Sequence, residues 1–165
     1  MKVMNLSLSH KTNHPNDLRS LFEKWAPAAT SWLQSRGINK ASAEDIVQDI
    51  FTAMAKRPND LPRKPSAYIF RAARNALSHL SKKPTVYNSV LQFESAQRGP
   101  DYSQIIAEEL NKLSIEQRDV VVLKFWHQMT FNEISEAINI PRTTAADRFK
   151  AGMQVLEKNL RQYFD

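Results

Sequence analysis

Apolar residues in this chain return at three- and four-residue intervals almost from end to end, and no useful stretch alternates in the manner of a strand. Leu18, Leu21, Phe22, Trp25, Ala29, Trp32 and Leu33 form one stripe, which stops before Arg36-Gly37, where glycine suits a helix end. A second stripe, Ile46, Val47, Ile50, Phe51 and Met54, is expected to open at Ser42, a capping residue with Asp45 three positions on. Pro58, Pro62 and Pro65 break the pattern. Ile69, Ala72, Ala73, Ala76, Leu77 and Leu80 then define a third helix that ends at Lys82-Lys83-Pro84. The chain is expected to be all-α, with a three-helix bundle first.

Residues 84–104 carry scattered apolar residues without a period and close on the turn signal Arg98-Gly99-Pro100-Asp101, which marks a flexible linker. A short helix around Ile105–Leu113 follows, then a helix opened by Ser114 and Gln117 and carrying Val120, Val121 and Leu123. Thr130 and Glu133 form a second capping box ahead of Phe131, Ile134 and Ile138. Asn139-Ile140-Pro141 interrupts, and the last helix turns Ala145, Phe149, Met153, Leu156 and Leu160 inward. A short helix, a tight turn and a longer helix have the spacing of a helix-turn-helix, a pattern that generic helical hairpins share.

Charge separates the two halves. Residues 1–84 hold 14 Lys+Arg against 6 Asp+Glu, and residues 85–165 hold 9 against 11, so the overall +6 comes from the first half. A basic half implies a polyanionic partner, and nucleic acid is favoured over membrane because no Lys-rich amphipathic helix opens the chain. No cysteine is present, which excludes disulfides, thiolate metal sites and thiol nucleophiles. The three glycines, Gly37, Gly99 and Gly152, are too dispersed for a phosphate-cradling loop. His10, His14, His79 and His127 occupy unrelated segments without a metal-ligand spacing, so neither a metal, a cofactor nor an enzymatic activity is expected. The start, Met1-Lys2-Val3-Met4-Asn5-Leu6-Ser7, lacks a signal-peptide core, and no apolar run nears the roughly 18 residues of a membrane span, so a cytoplasmic protein is expected.

Two surfaces stand out. On the third helix, Phe70, Arg71, Arg74, Asn75 and Ser78 project outward, with Arg57, Arg63, Lys64 and Tyr68 in or beside the preceding loop. Cations beside exposed aromatics and an amide suit a surface that grips phosphates while stacking an unpaired base; a solvated basic face with Phe70 partly buried is the plainer reading. On the last helix, Thr143, Thr144, Asp147, Lys150, Ala151 and Gln154 face outward, with Arg142 and Arg148 alongside. Hydroxyls and amides bond base edges, the cations reach phosphate, and Asp147 accepts from a cytosine amino group. Alternatively, Asp147 serves the helix dipole and the two threonines cap the helix.

Four segments together resemble bacterial RNA polymerase sigma factors of the extracytoplasmic-function (ECF) type, nearest the iron-starvation-like kind. They are Ala43-Glu44-Asp45-Ile46-Val47-Gln48-Asp49-Ile50-Phe51, Pro65-Ser66-Ala67-Tyr68-Ile69-Phe70-Arg71-Ala72-Ala73-Arg74-Asn75-Ala76-Leu77, Leu113-Ser114-Ile115-Glu116-Gln117-Arg118 and Thr130-Phe131-Asn132-Glu133-Ile134-Ser135, in order across about residues 17–161. The resemblance implies a flexible N-terminus (1–14), sigma region 2 over 15–83, a linker over 84–104 that threads near the polymerase active-site channel, and sigma region 4 over 105–165. It implies that Asp45, Gln48 and Asp49 dock on the β′ clamp helices, with Asp45 also free to cap its helix, and that region 4 meets the β flap. Arg57, Arg63, Lys64, Tyr68, Phe70, Arg71, Arg74 and Asn75 then fall where such factors hold the melted minus-ten element. Arg142, Thr143, Thr144, Asp147, Arg148, Lys150 and Gln154 fall where they read the minus-thirty-five duplex. An anti-sigma factor is a further partner the resemblance allows. The last helix departs from the family, which commonly has Thr-Val-Lys-Ser-Arg and more cations after it; here the run is Thr143-Thr144-Ala145-Ala146-Asp147-Arg148, then Ala151, Gly152 and Gln154. Standard upstream-element binding is therefore expected to be weak. The rival readings are a stand-alone duplex-binding regulator, against which the Asp-x-x-Gln-Asp motif speaks, and a protein of this fold devoted mainly to a regulatory partner.

Overall fold

A computed structural model describes residues 17–80 and 102–164. Among them lie seven α-helices and no strand: α1 Leu18–Ser35, α2 Lys40–Ala55, α3 Pro65–Leu80, α4 Ser103–Asn111, α5 Ile115–Val121, α6 Phe131–Ile138 and α7 Arg142–Phe164. The expected flexible N-terminus and nearly all of the expected linker lie outside the described residues.

The helix ends follow local chemistry. The Asp17 carboxylate caps α1 by accepting from the Ser20 backbone N–H at 2.7 Å. At its other end Gly37 adopts a left-handed φ of 87°, its N–H reaching the Gln34 carbonyl and that of Ile38 reaching Leu33, which satisfies two otherwise orphaned acceptors. Both expected capping boxes are present, Ser114 with Gln117 and Thr130 with Glu133. The expected cap at Ser42 is not. Asn39 caps α2, accepting from the Ser42 N–H at 2.9 Å, so Ser42 sits inside the helix. Asparagine supplies the same acceptor one turn earlier, and the helix starts where it first can.

Past α5 the backbone widens into a π-turn over Val122–Trp126, which buries Val122 and Leu123 while leaving Phe125 on the surface. Asn139, left-handed at φ 55°, ends α6 and starts the turn to α7. Ser135 Oγ donates to the Ile140 carbonyl at 2.6 Å and fixes that turn.

The two halves share a core. Trp25, Trp32, Leu33, Phe51, Ile69 and Phe70 of α1–α3 belong to one buried cluster with Val120, Leu123, Met129, Ile134 and Ala137 of the second half. A second cluster, Leu110, Leu113, Val121, Val122 and Leu156, holds α4, α5 and α7 together. Buried Glu109 ties α4 to α7, accepting from Asn159 Nδ2 at 2.9 Å and Tyr163 Oη at 3.3 Å, with Lys112 beside it at 2.5 Å. Gly152 lies on the inner side of α7 and not on its outer face: a Cβ there would come within 2.8 Å of Val121 Cγ2. Gly152→Ala is therefore expected to lower the thermal midpoint, because overpacking costs about 1–3 kcal/mol and alanine recovers only about 1 kcal/mol of helix propensity. A scanning calorimetry trace with an unchanged or raised midpoint would show that α5 and α7 can part without cost.

Candidate nucleic-acid and polymerase interfaces

Spacing on α2 brings Asp45, Gln48 and Asp49, at i, i+3 and i+4, onto one exposed face. The opposite side of α2, Ala43, Val47, Ile50, Phe51 and Met54, is buried. Next to the acidic face, Phe22, Pro27, Val47 and Gln48 line a shallow groove of ≈ 600 Å³ between α1 and α2. Phe22 stays 47% exposed on its rim, packed edge-on against Phe51 at 5.0 Å.

The third helix divides its expected residues. Arg57, Arg63, Tyr68, Arg71 and Asn75 are exposed. Phe70 is not: it is fully buried, edge-to-face with Trp32 at 5.8 Å, which corrects the expectation of an outward aromatic. The reason is that α3 packs against α1, α2 and α6 at once, so its buried arc is wider than its own apolar stripe. Arg74, one turn on from Phe70, is half-buried and donates from Nη1 to the Ala137 carbonyl of α6 at 2.6 Å. Burial, with Arg36 and Arg71 nearby, pulls its guanidinium below the usual arginine range, a sign of unneutralised positive charge. Lys64 reaches Glu136 of α6 at 3.2 Å.

Further contacts join the halves along α1. Lys24 Nζ meets Glu133 Oε1 at 2.6 Å. Burial works to raise the Glu133 carboxyl, but the Lys24 and Thr130 hydrogen bonds outweigh it and hold the group below its ordinary value. Asp119 of α5, buried, pairs with Arg36 and accepts from Ser35 Oγ at 3.2 Å. Burial pushes its carboxyl up, and these partners only partly offset that. Arg118 donates to the carbonyls of Leu110, Asn111 and Leu113 and to that of Ser35 across the seam. Sequence reasoning missed this polar seam because Arg118 and Asp119 read as surface charges of an amphipathic helix; no local signal marks them as buried.

The outer face of α7 is open. Arg142, Thr143, Asp147, Lys150 and Gln154 are exposed, with Thr144 and Arg148 half-buried. Because α7 starts at Arg142, Thr143 and Thr144 lie within its first turn and not at a cap, and Asp147 lies past the turn where the dipole acts. On the far side of this half, Ile106, Phe125, Trp126, Met153, Leu160 and Phe164 line an apolar groove of ≈ 460 Å³. Among the described residues no group of His, Cys, Asp or Glu is placed to hold a metal ion, and no helix is long and apolar enough to cross a membrane.

The family description Sigma-70 region 2 matches residues 21–84, and Sigma-70, region 4 matches residues 103–156. The chain is 29% identical over 145 residues to the ECF RNA polymerase sigma factor SigW of Bacillus subtilis (strain 168), covering 74% of this chain and 78% of SigW. Its fold resembles CnrH, solved in complex with the cytosolic domain of CnrY, with a TM-score of 0.58 over 88% of each chain at 21% identity. The matched segments coincide with the bundle that carries the acidic face and with the half that ends in the helix-turn-helix, so the chain belongs to the sigma-70 factors, is similar to an ECF member of them, and acts in promoter recognition and transcription initiation.

Proposed function

We propose a division of labour within that activity. Asp45, Gln48 and Asp49 contact the β′ clamp helices, the complementary charge steering association. Arg57, Arg63, Lys64, Tyr68, Arg71, Arg74 and Asn75 hold the melted minus-ten strand, and Phe70 supports them from beneath. The observation that carries this reading is one small bundle presenting an exposed acid–amide face on α2 and an exposed cation–aromatic–amide face on α3. Region 4 reads the minus-thirty-five duplex with Arg142, Thr143, Thr144, Asp147, Arg148, Lys150 and Gln154, and the apolar groove beside Phe125 and Leu160 seats the β flap. Few cations line α7, so upstream binding leans on polymerase, which raises the effective concentration of the second module at its box.

The same reading makes the protein cytoplasmic and gives it no catalytic chemistry of its own. It also includes a regulatory anti-sigma partner, which finds support in a protein of similar fold being held by the cytosolic domain of another chain. Membership of the iron-starvation-like kind is proposed on the motif resemblance alone.

Asn75→Ala tests the strand-holding role. The side chain is exposed, so stability should stay within about 0.5 kcal/mol. Promoter opening, followed by permanganate reactivity of unpaired thymines, should fall about tenfold, the equivalent of 1.4 kcal/mol, with core-polymerase affinity unchanged. Undiminished opening would remove Asn75 from the strand-handling surface.

A further inference from the structure

The groove between α1 and α2 has an apolar floor and an acidic edge. Phe22, Ala26, Pro27 and Val47 line it, with Glu23 on the α1 side and Glu44 on the α2 side, around a volume of ≈ 600 Å³. Phe22 keeps 47% of its surface in water there, which packing among the described residues does not remove. Gln48 belongs both to this groove and to the acid–amide face of α2, so the two surfaces are continuous. Glu23 and Glu44 are paired within their own helices, to Arg19 at 3.0 Å and Lys40 at 4.0 Å. Asp45 and Asp49 have no ion-pair partner among the described residues. Such a surface, apolar below and short of cations at its edge, fits a basic segment that carries apolar side chains.

The chain holds such a segment close by. Residues 1–16 contain Met1, Val3, Met4, Leu6 and Leu8, together with Lys2, Lys11, His10 and His14, and no Asp or Glu. They join α1 at its cap, Asp17, five positions ahead of Phe22, which is about 7–8 Å of helix rise. The groove runs along α1 from Phe22 to Ser31, about 14 Å. The nine residues from Leu8 to Asp17 span up to about 30 Å when extended, so Leu6 and Leu8 can be turned back onto any part of it. We infer that Met4–Leu8 occupies the α1–α2 groove of the free chain, its apolar side chains against Phe22 and Val47 and the flanking Lys2 and Lys11 toward the carboxylates of α2. The segment thereby competes with polymerase for the acid–amide face. The competition rests on the clamp-docking reading of α2; the occupancy does not. A short tether gives an effective concentration of about millimolar, so contacts too weak to hold a free peptide suffice. With about nine chains in ten closed, apparent affinity for polymerase falls about tenfold.

Because the sequence has no cysteine, Ser7→Cys places a single nitroxide on the full chain. Its paramagnetic broadening should fall on the amide signals of Ala26, Thr30 and Val47 and spare that of Gln154 on α7. Leu6→Ser with Leu8→Ser, which adds no charge, should abolish it. Groove signals that stay sharp, or that broaden equally with Gln154, overturn the occupancy. So does broadening carried between an isotope-labelled chain and a separate nitroxide-labelled one, which assigns the groove to a second copy. In a titration with core polymerase, the doubly substituted chain should bind about three- to tenfold more tightly than the parent. Equal affinities, with Asp49→Arg still weakening binding, overturn the competition and leave the clamp reading intact. An Asp49→Arg chain that binds as the parent does removes the clamp reading and the competition with it, while the broadening alone decides the occupancy.

Discussion

Replacing Phe70 by alanine is expected to destabilise the folded chain by about 3–5 kcal/mol, a large share of the roughly 5–15 kcal/mol that holds a domain together. Phe70 is fully buried, edge-on to Trp32 at 5.8 Å, in the cluster where both halves meet. Truncation removes the transfer free energy of the ring and leaves a cavity beside Trp32 that the rigid indole fills poorly. Phe70→Leu should recover most of the loss, because an aliphatic side chain refills much of the volume. Loss of promoter opening by Phe70→Ala would then follow from unfolding, which is why Asn75→Ala and not Phe70→Ala reports on strand contact. Chemical denaturation of the two Phe70 variants decides the matter: a Phe70→Ala protein as stable as the parent would mean the ring is not packed as described.

Reversing the charge of Asp49 is expected to act on polymerase and leave the fold alone. The side chain is exposed on α2, so stability should move by no more than about 0.5 kcal/mol. Against a basic partner surface, Asp49→Arg removes an attraction and adds a repulsion, and we expect core-polymerase affinity to drop about 10- to 100-fold, or 1.4–2.8 kcal/mol. The loss should shrink as salt is raised, since exposed charges are screened beyond about 10 Å at 0.1 M ionic strength. A titration of labelled protein with core polymerase that gives an unchanged dissociation constant would move the clamp contact elsewhere, the neighbouring Phe22 and Val47 groove being the next candidate.

Local chemistry was the most legible part of the chain. Gly37 stops α1, and Ser114 with Gln117 and Thr130 with Glu133 open their helices, because each depends only on residues within one turn. The start of α2 shows the limit of that logic: Asn39 and Ser42 are both capping types, and the sequence pattern favoured the later one. Phe70 was misassigned for a different reason. A helical projection places it outside when the helix is given one packing partner, whereas α3 has neighbours on three sides. The seam of Arg36, Arg118 and Asp119 was hidden for the same cause, since a charge buried by a distant half of the chain looks, in its own helix, like a charge left in water. The π-turn over Val122–Trp126 has no marker in the residues that form it, yet it sets Phe125 at the mouth of the region 4 groove.

On α2 the side chains of Asp45, Gln48 and Asp49 are all exposed, as their spacing predicts. The cation–aromatic set lies on α3 and in or beside the loop before it, but α6 engages Arg74 and Lys64, which the sequence pattern leaves free. That difference arises from contacts between segments more than 60 positions apart in the chain, beyond the reach of any local pattern.

Transcription in vitro shows whether this chain directs initiation by core polymerase. Core polymerase with the purified protein, presented with a library of genomic fragments, should yield discrete transcripts that core polymerase alone does not. Those transcripts should be lost with Asp49→Arg and weakened with Asn75→Ala. No initiation above core alone, from folded protein that still binds polymerase, would show that the chain does not direct initiation.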